Sequence, residues 1–159
     1  MKKGYIIAII IGIIVLLGIV IFFVFNSRRN IEINEIKKLT FRHDPGRGNG
    51  TDYEIICKDK CYANYRYWKD GQHIEEKEIP VDDKTIQELI KGLNKYKVSR
   101  WNGFNRISKQ VYDALSFHMY LTIQENKKIL AHGYAYKPKN YNEVKELLDE
   151  IFNKIEENR

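Results

Sequence analysis

The first pattern along this chain is an absence of polarity. Residues 4–25 carry no charge, and 17 of the 22 are Ile, Leu, Val or Phe. As a helix the run measures about 33 Å at about 1.5 Å per residue, close to a hydrocarbon core of about 30 Å. A lone segment in lipid can satisfy its backbone only as a helix, so 4–25 is read as a transmembrane helix. A cleaved signal peptide is the rival reading. Its apolar region spans about 7–15 residues and ends in a small-x-small site, whereas here the run is longer and leaves through "FVFNSRRN".

From residue 36 the pattern changes to short alternations and two helical stripes. "KKLTFRH" (37–43) alternates around Leu39 and Phe41 and predicts a strand. "YEIIC" and "CYANYRYW" predict a hairpin around Lys58-Asp59-Lys60. Asp70-Gly71 signals a tight turn into "HIEEKEI", a polar strand suited to a sheet edge and ended by Pro80. Asp82 or Asp83 caps a helix with Ile86, Leu89, Ile90 and Leu93 on one stripe. "SRWNGFNR" (99–106) reads as a loop, and "SFHMYLTIQ" and "ILAHGYAY" as a second hairpin. Asn140 and Glu143 form a capping-box variant before the stripe Val144, Leu147, Leu148, Ile151, Phe152 and Ile155. The expected fold is α+β: a single N-terminal transmembrane helix, then an antiparallel sheet with two packed helices in the order ββββ-α-ββ-α.

Charge adds an address. The formal net charge is +6, yet Lys2, Lys3, Arg28 and Arg29 supply four of the 27 basic residues, and residues 1–30 hold no acid. The other 23 face 21 acidic residues, near balance. No basic stripe of the nucleic-acid kind emerges, so nucleic acid is not an expected partner. The expected organisation is a basic tail at 1–3, the span at 4–25, a polar linker at 26–35 and one α+β domain at 36–159. Positive charge flanks both ends of the span, and the positive-inside count nearly balances. The expectation is a signal-anchor with the N-terminus inside and the domain outside the cell. A cytoplasmic-facing domain is the alternative.

That choice governs Cys57 and Cys61, the chain's two cysteines. Flanking a hairpin loop they become cross-strand neighbours, within reach of a disulfide. Outside the cell a stapled hairpin is expected; inside, two reduced thiols. A structural zinc needs four ligands, and no second cysteine pair or close histidine pair exists, so no metal is expected. "PGRGNGT" lacks the spacing and lysine of a phosphate loop and reads as a flexible loop. No cofactor-binding motif and no catalytic residue stands out. His43-Asp44 is a lone dyad, and no Ser or Cys sits in a nucleophile elbow.

The candidate interaction surface is aromatic and basic: Tyr62, Arg66, Trp68, Trp101, His118, Tyr120, His132, Tyr134 and Tyr136. Tyr, Trp and Arg dominate binding hot spots, but strands also favour aromatics as core. Hairpin register decides between these. A three-residue loop at 125–127 sets His118 opposite Tyr134, away from Phe117 and Met119; a two-residue turn at 126–127 puts His132 beside the apolar set.

The Gly-rich loop before a strand pair, "RWNGF" after a helix and a closing "GYAYKP" before a helix resemble small uncharacterised α+β domains of bacterial membrane-tethered or exported proteins. The resemblance lends no catalytic residue. The expected function is a non-enzymatic interaction domain on a single-pass anchor. Its partners would be the lipid bilayer through 4–25 and a protein such as an exported toxin, a protease or an envelope component. A small envelope hydrolase using scattered carboxylates or histidines is the alternative, as is a cytoplasmic-facing membrane adaptor.

Overall fold

A computed structural model describes residues 11–21, 31–46, 50–69 and 72–158, without the side chains of 68, 69 and 72. The chain divides into two compact units, Met1–Ile31 and Glu32–Arg159. In the first, residues 11–21 are helical (α1); the rest of the expected span at 4–25 lies outside the described residues. Among those described, no helix is long and apolar enough to cross a membrane.

The second unit is α+β, with a seven-stranded sheet in the order β4-β3-β2-β1-β6-β7-β5. The strands are β1 (Lys38–Asp44), β2 (Thr51–Cys57), β3 (Cys61–Lys69), β4 (Gln72–Val81), β5 (Phe104–Ile107), β6 (Ser116–Gln124) and β7 (Lys127–Tyr134). Two helices, α2 (Asp83–Lys95) and α3 (Tyr141–Glu157), supply the other half of the core. Leu39, Phe41, Ile55, Phe117, Met119, Leu121, Ile123 and Ile129 are buried from the sheet, and the stripes Ile86, Leu89, Leu93 and Val144, Leu148, Ile151 from the helices. Alternate positions face away, as the period of two demands.

Asp82 caps α2, its carboxylate accepting from the Thr85 N–H at 2.8 Å. Asn140 departs from the expected capping box: it sits at φ 61° with no side-chain cap, and its amide instead donates to the Tyr96 carbonyl at 3.1 Å. That bond ties the start of α3 to the end of α2.

Four further expectations need correction. The stretch read as a loop at 99–106 holds a 3-10 turn (Val98–Trp101) and the short strand β5, which pairs in parallel with β7. The sheet is therefore mixed, and the element order gains a strand. Phe104 is its only side chain turned partly inward, too little alternation to announce a strand. Pro80 does not end β4, which continues to Val81. β4 lies at the edge, where a residue without an N–H is tolerated. The β6–β7 hairpin takes neither expected register. It turns at 125–126, with a bulge between Thr122 and Gln124, and sets His118 opposite His132. Trp101 is core rather than surface, 2% exposed: its indole donates to the Lys139 carbonyl at 2.9 Å, and its rings lie against Phe117 and Tyr141. The expected turn at Asp70-Gly71 falls outside the described residues, although β3 and β4 do pair antiparallel around it.

Cys57 and Cys61 are directly opposed in the β2–β3 hairpin, Cα atoms 4.0 Å apart, and are joined as a disulfide. So short a loop gains about 2 kcal/mol by the chain-entropy relation. The double variant C57S/C61S should fold with its sheet intact and unfold in urea with about 2 kcal/mol less free energy. A loss of the far-ultraviolet spectrum would show instead that the staple is needed for folding.

Among the described residues three polar side chains are buried, His43, Thr85 and Ser99, and of these only His43 titrates. His43 projects from β1 toward α3, only 8% exposed, and its Nδ1 is 2.6 Å from the Tyr141 hydroxyl. Burial, helped by Lys145, pushes the imidazole down to about 4 from its ordinary 6.5. The unfolded chain then binds a proton that the folded one refuses. Stability is complete above pH 6.5 and is lost as pH falls toward 4. At about 1.4 kcal/mol per pH unit of displacement, the loss is on the order of 3 kcal/mol. Denaturation of the wild type and of H43N across this range should show the slope in the former and a flatter profile in the latter.

Candidate functional site

The helices cover one face of the sheet and leave the other to ordered polar groups. Register places Glu75, Arg66, Asp52, Arg42, His118 and His132 side by side across β4, β3, β2, β1, β6 and β7. Asn105 continues the row onto β5, opposite His132. One residue from each strand thus forms a transverse line across the open face. Thr40, Glu54, Asn64 and Lys77 flank it, lining a shallow depression over Arg42, Asp52 and His118.

Asp52 is the centre of the charged half. Arg42 grips it with two parallel bonds, Nε to Oδ1 at 2.7 Å and Nη2 to Oδ2 at 3.0 Å. From the other side Arg66 Nη2 donates to Oδ2 at 2.7 Å. Burial alone would raise the carboxyl, but the two guanidiniums outweigh it and hold Asp52 below the usual carboxylate range. Reciprocally, the hydrogen bond and charge of Asp52 raise Arg42. Glu54 is held down in the same way against its burial by Lys38 and Asn64. Glu75 pairs with Lys77 at 3.0 Å. Each carboxylate of the row therefore has a cation beside it.

The imidazole half is a stack. His118 and His132 lie ring to ring, centroids 4.0 Å apart and planes 18° from parallel. Burial, His132 and the charge of Arg42 all push His118 down. Tyr120, one row along, carries the Lys128 ammonium 6.0 Å from its ring centroid.

The residues expected as an interaction surface are thus partly brought together. Arg66, His118 and His132 belong to the row, and Tyr62, Tyr120 and Tyr134 share its face. Trp68 stands on β3 opposite His73, its side chain outside the described residues. Trp101 is buried beneath the other face, and Tyr136 lies beyond the end of β7. Sequence reasoning missed Arg42 and Asp52. Alternation put both opposite the apolar positions of their strands, but only the pairing of β1 with β2 makes them a bonded pair. Among the described residues, no group of three or more His, Cys, Asp or Glu is placed to hold a metal.

Chemically the face offers alternating, internally matched charge, two imidazoles and several amide and hydroxyl groups on a rigid plane. Its ion pairs are solvent-washed, and such pairs contribute about 0.2–1 kcal/mol. D52N should therefore cost about 1 kcal/mol or less in urea denaturation, and R42Q added to it should cost little more. A loss of several kcal/mol would mean that this carboxylate organises the sheet rather than its surface. No protein-family model matches this chain, and no curated protein matches it.

Proposed function

We propose that this chain is a single-pass membrane-anchored protein that presents its sheet face, on the outer side of the cell, to a protein partner. One observation carries the reading. A sheet covered on one side by two helices devotes the other to a row of charged, imidazole and amide side chains, one from every strand. An open sheet face needs only polar residues to stay in water; it does not need three of them bonded to one another, as Arg42, Asp52 and Arg66 are. Matched charges on a rigid plane discriminate between partners by pattern more than by raw attraction. The uncharged run at 4–25 supports the anchor, and a cysteine pair aligned for bonding supports an oxidising compartment. An exported or envelope protein is the partner that this address implies.

Photocrosslinking in intact cells tests it. A crosslinking side chain at Thr40 or His118 should yield discrete protein adducts, while Gln87 and Glu146, exposed on the helices, should not. Protease added outside should remove the domain from intact cells. Equal adducts from both faces, or none from the sheet, would overturn the assignment; a domain protected until lysis would overturn the orientation.

A further inference from the structure

Of the six large hydrophobic side chains exposed among the described residues of the domain, four gather at one corner. Ile107 ends β5, Val111 and Tyr112 follow in the loop to β6, and Tyr136 lies just past β7. Tyr112 is 90% exposed. Backbone bonds hold the corner together: Ser108 N–H donates to the Tyr134 carbonyl at 3.1 Å, and Ala135 N–H to the Leu115 carbonyl at 2.8 Å. Four exposed cations stand among these residues, Arg106, Lys109, Lys137 and Lys139. Asp113 is the one acid in segments 104–115 and 134–140.

Ile33 is fastened to Asn94 by two bonds, its N–H donating to Oδ1 at 3.1 Å and its carbonyl accepting from Nδ2 at 2.6 Å. Two residues on, the Tyr96 carbonyl accepts from Asn140, which follows Lys139. Ile33 and the start of α3 are thus both tied to the end of α2.

We propose that this corner is a lipid-docking surface that rests on the headgroup region of a bilayer containing anionic lipid. Aromatic side chains with an apolar body and a polar tip settle at that level. Each cation near an anionic surface improves partitioning about fivefold. The shape also favours lipid over protein: hot spots between proteins fill well-packed pockets, whereas Tyr112 is 90% exposed, and a fluid interface asks for no complementary shape. The inference leans on the reading of 4–25 as a span, which would keep the domain within reach of the surface.

The test uses the full chain reconstituted in vesicles of phosphatidylcholine, with or without phosphatidylglycerol. An environment-sensitive fluorophore is placed at Y112C and, as control, at Q87C; vesicle flotation is followed in parallel. With anionic lipid the emission at position 112 should shift to the blue and be quenched by headgroup-labelled lipid, with no change at 87. K109Q/K139Q should weaken docking about twenty-five-fold, two cations at about fivefold each, and leave flotation intact. Flotation without any shift at 112 overturns the docking and spares the anchor. Failure to float overturns the anchor, and a shift at 112 on adding vesicles would still sustain the docking; failure of both removes both. A shift seen in native cell membranes but in neither vesicle preparation assigns the corner to a protein and overturns the lipid assignment.

Discussion

The domain depends on β1 being hydrogen-bonded on both sides. It joins β2, its neighbour in sequence, to β6, which begins more than seventy residues later. Leu39, Phe41 and His43 point into the core from this strand. A slip by one residue would turn all three into water and bury Thr40, Arg42 and Asp44. The cost of that inversion fixes the register of the middle of the sheet. The position of Arg42 between Asp52 and His118 is thus a by-product of core burial. The polar row exists because the opposite face cannot move.

This dependence explains what could be read beforehand. Strands whose alternation is strong, such as "SFHMYLTIQ", and helices with a long stripe, such as 141–157, declared themselves. So did the opposition of Cys57 and Cys61, because hairpin pairing is local. The pairing of β1 with β6 joins distant segments, and no local pattern specifies it, so Arg42 and His118 could not be brought together on paper. β5 escaped notice because it is four residues long with a single inward side chain. Trp101 was misplaced because a buried indole and an exposed one look alike in sequence; the Lys139 carbonyl that accepts its N–H comes from a remote loop. The β6–β7 register was missed through its bulge, which cancels one residue of loop length.

Gly133 shows how tightly the β6–β7 hairpin, β5 and the loop after β7 fit around that register. A Cβ there would come within 2.3 Å of the Tyr136 carbonyl oxygen and 2.5 Å of the Phe117 ring. The absence of a side chain lets Phe104 and Phe117 approach with ring centroids 6.0 Å apart and lets the chain fold back over itself after β7. The core at this end is thus set by aromatic rings around a bare backbone. Its outer skin carries the exposed apolar side chains and cations, so the two layers of the same loops answer to different environments.

The sheet also has two borders. On one, Glu78 adopts φ 55° and Pro80 interrupts the run of amide donors within β4; the other border, β5, is only four residues long. An incoming strand would meet a bent, partly donorless rim or one too short to grip. Identical copies concentrated together are therefore steered away from joining their sheets end to end, and the broad face remains free for a different molecule.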